Sequence, residues 1–252
     1  MTTIKRAGPW TAAASVAIVV AIVVAGCTGD TGTGDASATP IATSDSVPSP
    51  SPGARVRPLV DLGGTAIMGP GTYVLEQFPV PILFDIPDGD EPGWHVGKSS
   101  PDAAVVLWYT PPEITWGFAF WNVDNVYVDP CDAAAGELQP PIGPTVDDLV
   151  SALSNLPAFQ ATPPVDVTVG AFRGTYIELT ALDSGVDCPQ ALAWSAGDDS
   201  TDLEPGDSRL VNVVDVDGVR IVIVTIEPEK PDPAVQAELQ QILDSIRLNP
   251  SP

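Results

Sequence analysis

The sequence predicts an α+β fold, in which a twisted antiparallel sheet carries two or more helices packed on it. Runs of β-branched and aromatic residues recur from residue 73 to residue 226, and Pro, Gly and Asp bound them. Short turns join several of these runs, and a short turn imposes antiparallel pairing. Two further segments repeat apolar residues every three or four positions, which is the period of an amphipathic helix.

The strands follow one another along most of the domain. The clearest turn is Asp217-Gly218, because a tight hairpin needs the positive φ angles that this dipeptide adopts. Hairpins are also predicted across the TPPE loop at 110–113 and across Gly170-Ala171. The predicted strand segments are 73–87, 103–109, 114–123, 165–169, 172–182, 190–196, 209–214 and 219–226.

Two helices are predicted, one in the middle of the chain and one near its end. Thr145 precedes an apolar stripe, and Asp148 lies three residues later, which is a variant of the capping box. The second helix covers 231–248, where five aliphatic residues follow the 3–4 spacing of an amphipathic helix.

Residues 1–26 are predicted to be a signal peptide. Two basic residues precede an apolar run at 12–26, and this run is shorter than the roughly 20 residues that span a bilayer. The VAGC sequence at 24–27 resembles the bacterial lipobox, in which the Cys carries a diacylglycerol. This resemblance implies lipid on Cys27 and attachment to the outer face of the cytoplasmic membrane. The alternatives are an uncleaved anchor and an ordinary signal peptide.

Residues 27–58 are predicted to be the lipidated Cys and a disordered tether, followed by one domain at 59–252. Residues 28–58 contain five Ser, five Thr, five Pro and four Gly but no aromatic residue, so they bury too little apolar surface to fold. The formal charge of −23 becomes −25 without residues 1–26, which hold two basic residues and no acid. Such a charge disfavours nucleic acid. Attraction of cations or basic partners and a simple solvated surface are the two interpretations that it leaves open.

Three cysteines are present. With Cys27 lipidated, Cys131 and Cys188 remain as an even pair in an exported protein, which predicts a disulfide bond. Metal binding is the alternative, but two Cys and one His without a CxxC motif make a poor zinc site. We therefore predict neither a cofactor nor a metal.

Catalytic signals are weak. His95 is the only histidine, and the G-x-S-x-G motif that presents a nucleophilic serine is not found in the sequence. A hydrolase is therefore the less favoured hypothesis, and we predict a domain that is not an enzyme. The acidic segment 198–207 alternates carboxylates as calcium loops do but departs from the EF-hand pattern, so calcium binding and a solvated loop both stay open.

The aromatic segment 116–121 is the main candidate for recognition, because its alternation assigns large rings to one face and Trp121 with two small residues to the other. Core packing is the favoured interpretation of this strand, because Trp and Phe are mostly buried. The alternative is that one face is an exposed recognition surface, and the Trp121 face, with its small neighbours, is then the candidate. Trp94 and His95, at a turn, are the other possible binding residues.

The FDIP sequence at 84–87, the Gly93-Trp94 turn and the final helix ending in DSIRL resemble PsbP/Mog1-like domains. The resemblance covers about residues 73–249 and is closer still to uncharacterised actinobacterial lipoproteins of that shape. It implies a role in binding protein partners or in assembly, and it identifies no catalytic residue. The sequence thus predicts a membrane-anchored, non-catalytic lipoprotein that binds an envelope protein. The alternative is a small-ligand or glycan binder that uses the aromatic face.

Overall fold

The computed structural model describes residues 56–59, 67–88, 93–110, 113–183, 188–227 and 232–249, without the side chains of 109, 110 and 113–115. Residues Pro50–Pro252 form one compact unit. The predicted signal peptide, Cys27 and the tether as far as residue 55 lie outside the described residues. Neither of the two α-helices in the described part combines the length and the apolar character that crossing a membrane requires.

Strands outnumber helices in the described chain. The helices are α1 (Val146–Ser154) and α2 (Pro233–Asp244), with a short 3-10 helix at Ala133–Ala135. The strands are β1 (Arg57–Pro58), β2 (Gly71–Leu75), β3 (Ile82–Ile86), β4 (Trp94–Ser99), β5 (Ala103–Thr110), β6 (Glu113–Trp121), β7 (Asn125–Val126), β8 (Phe159–Ala161), β9 (Val165–Val169), β10 (Phe172–Ala181), β11 (Ala191–Ala196), β12 (Asp199–Leu203), β13 (Ser208–Val216), β14 (Val219–Ile226) and β15 (Arg247–Leu248).

A central sheet of eight strands organises the domain. Its order is β4-β5-β6-β14-β13-β10-β8, and β9 also pairs with β10. Every pair in this sheet is antiparallel, and the three predicted hairpins β5–β6, β9–β10 and β13–β14 are confirmed. In the β13–β14 turn, Asp217 and Gly218 have φ angles of 54° and 89°, as the Asp-Gly dipeptide predicts.

One face of the central sheet packs against α2 and a four-stranded sheet of order β1-β2-β3-β15. In that smaller sheet β1 runs parallel to β2, and the other pairs are antiparallel. The core between the central sheet and these elements is rich in aromatic rings. Most ring pairs there meet edge-on or tilted, and Tyr73 and Phe84 are stacked with an interplanar angle of 19°. The central members of this core include Phe84, Trp94, Phe118, Phe120 and Ile242.

The other face of the central sheet packs against α1 and a three-stranded sheet of order β12-β11-β7. The predicted capping box is confirmed at the start of α1, where Thr145 and Asp148 bond each other's backbone N–H groups. Arg220 on β14 secures the preceding loop, because its guanidinium donates to the carbonyls of Gly143, Thr145 and Val123. This second core contains Trp121, Leu149, Leu153, Ile177 and Trp194.

The structure corrects three expectations about the elements. Sheets dominate the fold, so it is mainly β within the α+β description. The second helix ends at Asp244 rather than residue 248, because Arg247 and Leu248 pair with β3 instead. The predicted tether also ends earlier, since Arg57 and Pro58 pair with β2.

Candidate functional site

The Trp121 face is not a surface. Trp121 is only 5% exposed, so the expectation of an open recognition face is wrong. The side chains of Leu107 and Ile226 occupy the space above Gly117. The Trp194 ring from β11 packs against Trp121, with ring centroids 6.0 Å apart at 80°. Both faces of β6 are therefore core, which is the packing that the sequence favours.

Trp94 and His95 also lie inside the fold. Trp94 is 1% exposed, and its indole N–H donates to Oε1 of Glu238 on α2 over 2.7 Å. His95 is 8% exposed and lies in β4, opposite Leu107. Trp94 touches a cavity of about 120 Å³ on the helix side, and this cavity is small for a ligand-binding site. These residues support the core, and no recognition surface among the described residues is built on them.

Cys131 and Cys188 form a disulfide bond, with an S–S distance of 2.04 Å, which confirms the predicted pair. The bond joins the turn before the 3-10 helix to the segment leading into β11. Because both sulfurs are used, this pair supplies neither a thiolate nucleophile nor a thiolate metal ligand.

Half of the acidic segment 198–207 is strand rather than loop, because β12 occupies Asp199–Leu203. Alternate side chains on an extended strand are about 7 Å apart, so the segment does not wrap around one ion. Asp199 is instead paired with Lys98 and accepts a hydrogen bond from Ser100. Across the described residues, no group of three or more His, Cys, Asp or Glu side chains is close enough to hold a metal ion.

An open groove lies between α2 and the central sheet, and it was not predicted from the sequence. We call it the α2 groove; its volume is about 530 Å³. The sheet contributes Tyr176, Asn212 and Thr225, and α2 contributes Gln240 and Asp244. A sequence feature that could have predicted this groove is Asn212, a polar residue in an otherwise apolar alternation along β13. Polar residues at such positions point to an incompletely covered face.

The α2 groove is acidic. Partial burial raises the pKa of Tyr176 above its ordinary value, and the negative charges of Glu178 and Glu227 raise it further. Glu227 and Asp244 both line the groove, and Asp244 accepts a hydrogen bond from Gln240 over 2.8 Å. The carboxylates of Glu227 and Asp244 attract cationic groups to this groove.

Two adjoining depressions lie on the other face of the sheet, beside the same edge. Their volumes are about 450 and 470 Å³, and both are lined by Asp166 and Arg173. Asp147 near the start of α1 and Asp215 at the end of β13 also line this region. We call the two depressions together the α1 groove. The edge formed by β9 and β10 therefore has an acidic groove on each face.

No protein-family description matches the chain, and no curated protein matches it. Among solved structures, the chain is similar to the cyanobacterial PsbP of Synechocystis sp. PCC 6803, with 14% identity, a TM-score of 0.36 and coverage of 75% of this chain and 98% of that one. It is also similar to a protein of Bacteroides thetaiotaomicron VPI-5482, with 10% identity, a TM-score of 0.30 and coverage of 66% and 44%. The first belongs to the PsbP group that the sequence resembles. Similarities this low establish no function, and the lipoprotein and actinobacterial parts of the resemblance remain predictions.

Proposed function

We propose that the chain is an exported lipoprotein, held on the outer face of the cytoplasmic membrane by lipid on Cys27. The supporting sequence is the short apolar run that ends in VAGC. The Cys131–Cys188 disulfide supports export independently, because such bonds persist in oxidising compartments outside the cytosol.

We infer that the folded domain binds an envelope protein without catalysing a reaction. The α2 groove carries this proposal, because it is an open groove of about 530 Å³ that the central sheet and α2 line together with polar and acidic side chains. Its side chains are hydrogen-bonding groups and carboxylates, which suit recognition of a polar, cationic surface. The glycan or small-ligand alternative depended on the Trp121 face, which is core.

Site-specific photocrosslinking in cells tests the groove. A benzophenone amino acid replaces Gln240, which lines the groove, or Gln241, which is exposed on the same helix and does not line it. We expect a discrete protein adduct from position 240 and none from position 241. Equal adducts from both positions, or none from position 240, would contradict the groove as the binding site. A glycan adduct would revive the alternative.

The anchor is tested separately. Cells that express the wild-type chain or the Cys27→Ser variant are supplied with labelled palmitate. We expect label in the wild type and none in the variant. Label that persists in Cys27→Ser would refute lipidation at this residue and leave the groove proposal untouched.

A further inference from the structure

Strand β9 is an edge of the central sheet. Within the described chain it pairs only with β10. Its five residues are exposed or half-buried, and Val165 is 53% exposed. An edge of this kind presents unpaired peptide groups that can template another strand.

The hairpin register shows which peptide groups face outward. A two-residue turn at Gly170-Ala171 joins Val169 to Phe172, and Gly170 has the φ of 58° that such a turn needs at its first position. The residues that flank a two-residue turn form a hydrogen-bonded pair, and bonded pairs then alternate along the ladder.

Val169, Val167 and Val165 therefore direct their N–H and C=O groups toward β10. It follows that Asp166 and Thr168 direct theirs away from β10, toward the open side of the edge. Both residues are exposed. Two donors and two acceptors are thus available to an added strand.

The grooves on the two faces suit the side chains of an added strand. Successive side chains of a strand point to opposite faces of the sheet. A segment lying along β9 would alternately direct its side chains toward the α2 groove and the α1 groove. Strand addition obtains affinity from main-chain hydrogen bonds and specificity from such alternating pockets.

The charges on this edge favour a basic segment. In the described part of the chain, the α1 groove is lined by the carboxylates of Asp147, Asp166 and Asp215 and by one cationic side chain, that of Arg173. The α2 groove adds Glu227 and Asp244, and none of the described residues that line it is cationic. Opposite charges steer association and suppress partners of the wrong sign.

The same charges disfavour two other occupants. In a second copy of the chain, β9 paired with β9 would bring two sets of these carboxylates together. The chain's own segment 28–55 carries three acidic residues and only one basic residue, Arg55. Neither occupant supplies the positive charge that this edge attracts.

We propose that β9 receives an extended, lysine- or arginine-rich segment of the protein partner as an added strand, with its side chains alternating between the α2 and α1 grooves. This proposal rests on the proposed function and specifies how the partner is recognised.

A synthetic peptide provides the first test. The probe is a blocked seven-residue peptide, KVKTKVK, whose binding to the disulfide-bonded domain is measured by fluorescence anisotropy. Thr168→Pro removes an outward N–H, and edge strands accept proline there. The matched control, Thr168→Val, keeps the N–H. We expect Thr168→Pro to weaken binding at least tenfold and Thr168→Val to change it less than twofold.

Charge is tested on the same probe. Asp166→Asn should weaken binding severalfold, and its matched control is Asp202→Asn, an exposed carboxylate on β12 that lines neither groove. We expect the control to bind as the wild type does. Equal effects of the two substitutions would show a diffuse charge effect and overturn the assignment to this edge.

Probe methylation keeps the test independent of any variant's folding. One peptide is N-methylated at positions 3 and 5 and the other at positions 4 and 6, so each carries two methyl groups and the two lose donors on opposite edges. One of the two should lose at least tenfold in affinity while the other binds. Equal binding by both would overturn strand addition, as would wild-type binding by a folded Thr168→Pro variant.

Failure of this proposal is distinguishable from failure of the proposed function. A partner that crosslinks at Gln240 regardless of Thr168→Pro would leave the groove in place and remove the added strand. A dimer that Thr168→Pro dissociates would overturn the basic partner in favour of a second copy. A probe that does not bind the wild type would also overturn the proposal.

Discussion

Replacing Trp121 with alanine tests whether the second face of the central sheet is a buried core. The side chain is 5% exposed, lies between Ala103 and Val222 on neighbouring strands, and contacts the Trp194 ring. Removing a buried Trp or Phe side chain costs about 3–5 kcal/mol, because the transfer free energy is lost and a cavity stays behind. The edge-to-face pair with Trp194 accounts for about 0.5–1.5 kcal/mol beyond the buried area. We therefore expect the free energy of unfolding to fall by about 4 kcal/mol.

Urea unfolding followed by far-ultraviolet circular dichroism measures this loss without depending on tryptophan fluorescence. Phe118→Ala, on the opposite face of the same strand, is the comparison, and we expect a loss of similar size because Phe118 is fully buried. Gln241→Ala on exposed helix surface is the control and should stay within about 0.5 kcal/mol. A Trp121→Ala loss below about 1 kcal/mol would refute burial of this side chain, since surface substitutions cost that little.

Three further predictions follow from individual contacts. Replacing Cys131 with serine opens a loop with a sequence separation of 57, and the chain-entropy estimate gives a loss of about 4 kcal/mol in urea unfolding; an unchanged midpoint would contradict it. Partial burial raises the pKa of Asp85, but hydrogen bonds from Arg247 and Thr72 and the Arg247 charge lower it below its ordinary value overall. The ionised Asp85 carboxylate therefore stabilises the fold above the ordinary aspartate pKa of about 4, and this stabilisation is lost as pH falls through the lowered folded pKa. Asp85→Asn should therefore make the free energy of unfolding depend less on pH in this acid range. Arg220→Met should lower the free energy of unfolding by about 1–3 kcal/mol, because partly buried carbonyls lose a charged donor, whereas a neutral result would show that water replaces the guanidinium.

Local chemistry explains the elements that the sequence predicts well. The three hairpins depend on turn residues and on period-two alternation, both of which act over a few positions. The capping box of α1 is equally local, since Thr145 and Asp148 satisfy each other's backbone groups. The disulfide follows from the even cysteine count and the predicted export. Each of these predictions needs no knowledge of which layer covers which face.

The recognition surface could not be predicted in this way, because its prediction requires knowing which layer covers which face of the sheet. Alternation in 116–121 separates two faces correctly, but it does not reveal that β11 supplies Trp194 to cover the second one. The α2 groove depends on α2 leaving part of the sheet face uncovered. Asn212 on β13 is a local hint of this opening, yet only the tertiary arrangement brings it near Tyr176 and Asp244.

Hydrogen exchange at the β9 edge tests the central claim most directly. Amide exchange is followed by NMR in the disulfide-bonded domain, with and without saturating KVKTKVK peptide. If the peptide adds as a strand, the outward amide of Asp166, Thr168 or both slows about tenfold or more, because an exposed donor becomes hydrogen-bonded. The Val167 amide, which already faces β10, should change much less. Unchanged exchange at both Asp166 and Thr168, with the peptide bound, would contradict the account.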